Sequence, residues 1–418
     1  MRPLMGRIFC QFVFFQAATM SQFSMIEARP SPEKKNRTIS WRSREGRSVI
    51  YQIVAILSAF ALAALLVRNT LANMRLRGIQ SGYDFLFQPF GFDISETVID
   101  YAHNSSYFVA FAIGMLNTLK VAIIGIALAT VLGVLIGVGR FSANYLVQKI
   151  CYAFVEFFRN VPVYLQLLIW YLVFAEALPD LENAWNAGHF YLSKNGISFP
   201  WPVWQLGQTL ALVGASLGLV FGLYYRRLAR AHFDRTGQSR PVLWVALAAV
   251  LGLSVLGWLA GGAPSEWDLP KVGDFQIEDG GVFSPEFMAL LFGLVFYTAA
   301  FIAEVVRSGI ASVSLGQHEA AASLGLSKSQ AMRLVVLPQA LRVIIPPLTS
   351  QYLNLTKNSS LAVAIGYPEL VSIANTTLNQ TGRAIEALSI VMLVYLTLSL
   401  ITSALMNWFN ASAAIQER

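Results

Sequence analysis

The chain is 418 residues long and carries 30 Lys and Arg against 23 Asp and Glu, with 56% hydrophobic and only 13% charged residues, whereas soluble domains carry about 25% charged residues. So little charge over this length would leave large apolar patches facing water, which excludes an ordinary cytosolic enzyme and makes lipid the main solvent. Two cysteines, Cys10 and Cys151, are too few for a disulfide framework or a cysteine zinc site, and the four histidines are scattered without an HExxH spacing.

Residues 1–48 begin with Arg2, Arg7 and an apolar run over 8–18 that imitates a signal peptide. Cleavage there would export the basic stretch of Lys34, Lys35, Arg37, Arg42, Arg44 and Arg47, against the loop charges farther on. The leader therefore reads as dispensable or as a misassigned start, with Met20 or Met25 the true one, and 30–47 has the composition of a disordered cytoplasmic tail. A bilayer core demands about 20 apolar helical residues, because no backbone N–H or C=O can stay unpaired in hydrocarbon. Residues 49–67 meet that demand and predict an N-terminal transmembrane helix, followed by a periplasmic loop over 68–107. The stretch 108–138 holds one charge, Lys120, which can snorkel to the headgroups. Residues 152–175 start polar, with Glu156 and Arg159, and turn apolar after Pro162, so they predict a helix rising from the interface. Charge-free stretches at 203–225 and 242–263 predict a hairpin, and 287–307, 343–368 and 387–410 bring the expected total to eight helices, ahead of a short cytoplasmic C-terminus at 411–418. The fold class is all-α, a polytopic membrane protein.

Lys and Arg of short loops stay in the cytoplasm. Arg226, Arg227, Arg230, Arg235 and Arg240 crowd the connection inside the hairpin, and eight crossings put it on the same side as the basic N-terminus. The opposite loop over 263–285 is acidic, with Glu266, Asp268, Asp274, Glu278 and Asp279 against Lys271. The basic excess is thus a topology signal, with anionic lipid contact second, and nucleic acid is not implied.

No GxxxxGK[ST] occurs and Gly-Lys is absent, so nothing in the chain cradles nucleotide phosphates. The informative cytoplasmic segment follows the sixth helix: Gly316-Gln317-His318-Glu319-Ala320-Ala321-Ala322-Ser323-Leu324-Gly325-Leu326-Ser327-Lys328, then Val335-Val336-Leu337-Pro338. Residues 319–324 predict a short helix with a small alanine face. Gly325 can end it, Ser327 can cap the next helix, and Pro338 would stop or kink that one.

This segment resembles the EAA loop of ABC-transporter permeases: Glu319, Ala320, Ala321, Gly325, Leu337 and Pro338 match in register, with Val335 in place of the usual Ile. Asn117-Thr118-Leu119, the run from Val155 through Glu156-Phe157-Phe158-Arg159-Asn160-Val161 to Pro162, Ala303-Glu304-Val305-Val306-Arg307, Leu355-Thr356-Lys357-Asn358-Ser359 and Thr376-Thr377-Leu378-Asn379-Gln380-Thr381-Gly382 are similar to the polar and general L-amino acid branch of that family, over about 90–409. The resemblance implies a permease domain at 108–410, with a five-helix core on helices two, three, six, seven and eight, plus the N-terminal helix and the inserted hairpin at 203–263. It also implies an ABC ATPase dimer that binds the ATP and contacts Glu319, Ala320, Ala321 and Gly325, a second homologous permease chain, a periplasmic amino acid binding protein, and residence in the bacterial inner membrane with both termini cytoplasmic. No cofactor is implied in this chain.

Two polar features inside the spans need a reading of their own. Glu304 and Arg307 lie three apart and favour a helix-anchoring ion pair over a gate. Ser350, Asn354 and Lys357 share one helical face, and a charge costs about 2.5 to 3.5 kcal/mol at the centre of a span. That face must meet water or a partner, either as a substrate pathway for a zwitterion or through interhelical hydrogen bonds. The rival transport class, an ion-coupled secondary carrier, would carry inverted repeats, and none is visible. A membrane enzyme or scaffold would have no use for 319–325.

Overall fold

The computed structural model describes residues 44–413 apart from 77, 79–80, 103 and 274–276. The expected tail up to residue 43, with its leader-like start, and residues 414–418 lie outside the described residues. The chain divides into two units, Met1–Gly78 and Ile79–Arg418. Within the first, the described residues form helix α1, Arg44–Leu76. It begins inside the expected tail and runs past the predicted end at 67, since the sequence from Leu71 to Leu76 contains no helix breaker.

In the second unit the helices are α2 (Tyr107–Gly139), α3 (Tyr145–Asn160), α4 (Val163–Leu172, continued by a π turn at Val173–Ala177), α5 (Leu206–Thr236) and α6 (Val242–Ala260). They are followed by α7 (Pro285–Ala311), α8 (Leu315–Ser323), the single turn α9 (Lys328–Ala331), α10 (Leu337–Asn358), α11 (Leu370–Thr381) and α12 (Ala384–Ala413). A 3-10 stretch, Ser359–Ile365, continues α10. The core forms where α2, α4, α7 and α10 meet, on Val121, Ala129, Leu167, Leu290, Leu294, Ile302 and Leu355. A second apolar cluster tucks Phe85, Phe90 and Ile94 of the segment before α2 against Phe111, Leu370 and Ile373. The expected outer loop is therefore folded onto the helices at its C-terminal part.

Three expectations are corrected. The predicted helix over 152–175 is two helices, α3 and α4, bent by 104° at the break, because Pro162 keeps Val161 extended at φ −93° and ψ 126°. The expected total of eight is kept, since seven helices among the described residues are long and apolar enough to cross a membrane and the bent pair, counted as one span, makes the eighth. Helix α5 continues to Thr236, so Arg226, Arg227, Arg230 and Arg235 sit on its last turns and only Arg240 belongs to the connection. Pro338 does not stop a helix. It occupies the first turn of α10, where its missing N–H costs nothing, directly after a π turn at Met332–Val336.

The inserted hairpin is held by its own glycines. A Cβ on Gly214 would lie 2.1 Å from the Leu253 carbonyl oxygen, and one on Gly218 would lie 2.5 Å from the Val250 Cα, so the α5 and α6 backbones touch. Helix α6 buries none of its side chains, the state expected of a helix bathed in lipid.

Flanking this hairpin is a small β structure that the helical reading did not contain. Strands β1 (Trp185–Ala187), β2 (Phe190–Ser193), β3 (Gly196–Phe199) and β8 (Gly281–Phe283) form one antiparallel sheet in the order β1-β2-β3-β8. Strands β4 (Trp201–Pro202) and β5 (Trp267–Asp268) pair with each other, as do β6 (Lys271–Val272) and β7 (Ile277–Glu278). Runs of two to four residues are too short to show an alternating pattern in sequence. The sheet leads into one end of α7 and α8 leaves the other, about 40 Å apart at 1.5 Å per residue.

Candidate functional site

The segment expected to meet a partner is a nine-residue helix, α8, closed at its C-terminal end. At its C-terminus Gly325 has φ +74°, and its N–H donates to the Ala322 carbonyl at 2.9 Å while Leu326 N–H donates to that of Ala321 at 3.1 Å. A left-handed residue closes the helix as predicted. Ser327 then caps α9: its hydroxyl accepts from Gln330 N–H at 3.3 Å, and the Gln330 side chain accepts from Ser327 N–H at 2.9 Å. The four predicted contact residues do not share one face. Glu319, Ala320 and Gly325 are exposed, but Ala321 is buried. Ala321 thus seats the helix on its own chain, and its small size permits the close seat. Leu315 and Leu324, which the motif did not single out, are 78% and 79% exposed and give α8 an apolar rim.

Above this helix, Glu304 joins three elements. It accepts from Arg307 Nη2 at 2.5 Å and from Arg140 Nη1, at the end of α2, at 2.5 Å, and Arg159 of α3 lies 3.8 Å away. The predicted i,i+3 pair is present, and sequence spacing alone could not reveal its two long-range partners.

Ser350, Asn354 and Lys357 lie exposed on one side of α10. Lys357 stands in the last turn of α10, about 30 Å of helix rise from Leu337. It therefore lies toward the far end of the continuous helical stretch Lys328–Ile365, eight residues before its last residue and away from its middle, which lowers the cost argued from sequence. Beyond it, in the connection to α11, Glu369 is fully buried and caps α11, accepting from Val371 N–H and Ser372 N–H at 2.8 Å each and from the Tyr395 hydroxyl at 3.2 Å. Burial pushes its carboxyl up to about 7, against those backbone hydrogen bonds. Nearby, Asn117 donates to the carbonyls of Glu96 and Pro368 at 2.8 Å each, and Thr118 accepts from Leu370 N–H at 3.2 Å. The Asn117 Oδ1 and the Tyr367 hydroxyl are buried with no hydrogen-bond partner among the described residues. The sequence named Asn117 and Thr118 only by their place in a motif, and nothing in it distinguished Glu369.

Lys120 does not snorkel. It is paired with Glu96, and its ammonium lies 4.3 Å from the Phe287 ring centre and 5.0 Å from that of Phe283. Glu96 also accepts from the Ser284 hydroxyl at 2.5 Å and from Ser284 N–H at 3.3 Å, which ties the segment before α2 to the start of α7.

Residues 211–414 match the family described as binding-protein-dependent transport system inner membrane component. The chain is 45% identical to the general L-amino acid transport system permease protein of Rhizobium johnstonii, over 89% of this chain and 93% of that one. It is 38% identical to the glutamate/glutamine/aspartate/asparagine transport system permease protein of Rhodobacter capsulatus, over 89% and 95%. It is 25% identical to the glutamate/aspartate import permease protein of Escherichia coli, over 71% and 84%.

Proposed function

The chain belongs to the permease family of binding-protein-dependent transport systems, and from that premise we propose that it forms part of the membrane pathway for ATP-driven import of polar or general L-amino acids across the bacterial inner membrane. A separate ATPase dimer binds and hydrolyses ATP, a second homologous permease chain completes the pathway, and a periplasmic binding protein delivers the amino acid. Both termini lie in the cytoplasm. The observation that carries this reading is α8, a short helix closed by Gly325 that offers Glu319, Ala320, Gly325 and two exposed leucines to a partner.

The helix supports coupling mechanically. Helix α8, with Ala321 buried, packs against the π turn that leads without a break from α9 into α10, so a push from a docked ATPase reaches the polar face of α10 through continuous backbone. That face suits a zwitterion. Lys357 meets a carboxylate, while Ser350 and Asn354 replace hydration with neutral hydrogen bonds. None of the three has a side-chain hydrogen bond within the described part of the chain, which leaves them available to substrate or to the second permease. Uptake normalised to assembled complex separates those fates for Lys357→Met. Failed transport with intact ATPase binding is expected, and normal transport per complex would retire the pathway role. Vesicles holding this chain alone that accumulated amino acid against a gradient would overturn the ATP-driven reading and leave an ion-coupled carrier.

A further inference from the structure

At the end of the bundle that carries α8, the ends of α2 and α7 and the face of α3 border a half-open hollow of about 430 Å³ lined by Arg140, Phe141, Gln148, Lys149, Tyr152 and Arg307. We propose that it is a binding site for the phosphate of an anionic phospholipid headgroup.

Charge is the first argument. Three cations line the cavity and no carboxylate does. Among the described residues the acid paired with the two lining arginines, Glu304, is shared between Arg140 and Arg307 with Arg159 at 3.8 Å, so positive charge is left over. Among the described residues Lys149 has no carboxylate partner, and its ammonium lies against the Tyr145 ring, 5.4 Å from the centre. On the same helix Glu156 is engaged by Asn160 at 3.3 Å. Two guanidinium groups and an ammonium around one hollow, with the Tyr152 hydroxyl beside them and the Gln148 amide already donating to the Arg140 carbonyl at 3.2 Å, form a donor set suited to phosphate oxygens.

Depth is the second. Helix α4 is apolar and belongs to the span, while α3 is turned 104° from it and so runs close to the membrane plane. Leu146, Ile150 and Phe157 of α3 are exposed, as in a helix half-sunk in the interface. The cavity wall is thus at the level where lipid phosphates lie. The third argument favours a lipid over a soluble anion. Along the seam of the same two helices, α2 and α7, runs an apolar cleft of about 280 Å³ that includes Val131, Leu135, Phe292 and Phe296, and Leu135 precedes Arg140 by about 7.5 Å of helix rise. A headgroup in the cationic hollow has an apolar bed for an acyl chain close by.

The test is native mass spectrometry of the detergent-purified, delipidated full chain titrated with phosphatidylglycerol or phosphatidylcholine, with and without millimolar inorganic phosphate. Phosphatidylglycerol should be retained preferentially and should resist phosphate. Lys149→Gln, at an exposed position that leaves the Glu304 network intact, should weaken its retention about fivefold, the equivalent of one lysine at an anionic membrane surface. Lys271→Gln at the opposite end should leave retention unchanged. Equal retention of both lipids, an unaltered affinity in Lys149→Gln, or displacement by inorganic phosphate would overturn the proposal, the last by identifying a soluble anion as the occupant.

Discussion

Lys120→Met tests the clasp at the sheet end of the bundle. The Lys120 and Glu96 side chains are 19% and 10% exposed, so removing the ammonium strands a mostly buried carboxylate. Breaking such a pair from one side costs about 3 to 5 kcal/mol. Glu96 keeps the Ser284 hydroxyl and N–H, which holds the loss to the lower end, about 3 kcal/mol. Two ring contacts vanish as well, at about 0.5 to 1 kcal/mol each, for an expected total near 4 kcal/mol. Glu96→Gln removes the charge that Lys120→Met strands, so the double variant should be more stable than the sum of the single losses by about 2 kcal/mol. Unfolding of the four proteins in detergent micelles closes the cycle. Single and double changes that add to within about 0.5 kcal/mol would refute the clasp and return Lys120 to a solvated role.

Three further outcomes are expected. Gly325→Asp should abolish co-purification of the ATPase: no atom lies within 4 Å of its Cβ, so the damage comes from a left-handed φ, costing about 1 to 2 kcal/mol, and from a charge at the docking surface; undiminished co-purification refutes the assignment. In a background lacking Cys10 and Cys151, a cysteine at Gln238 should resist impermeant reagent in intact cells while one at Ser265 reacts, and the reverse pattern would invert the topology. Glu369, whose carboxyl is raised from 4.5 to about 7, favours folding most when protonated; its contribution is complete below about pH 4.5 and falls away as pH rises through 7, by up to about 3 kcal/mol. Glu369→Gln should flatten thermal stability between pH 5 and 8, and a wild-type pH profile in that variant would show the group titrates elsewhere.

Features set by local chemistry were legible in the chain itself. Apolar length fixes which segments enter lipid, because unpaired backbone is intolerable there. The Gly325 stop and the Ser327 cap also follow from single residues, since a left-handed turn and an N-terminal hydrogen bond depend only on near neighbours. Tertiary structure alone decided whatever depends on residues distant in sequence. Ala320 and Ala321 are identical letters, yet one faces outward and the other seats the helix, a choice made by the π turn packed beneath them. Arg140 reaches Glu304 and Glu96 reaches Lys120 only because α2, α7 and the segment before α2 converge. Strands of two to four residues exist because their partners are held alongside, β8 lying more than 80 positions from β3 and yet paired with it. Glu369 is an ordinary glutamate in sequence, and the buried carboxyl it becomes is made by the helices that close over it, which exclude the water that would otherwise keep it charged.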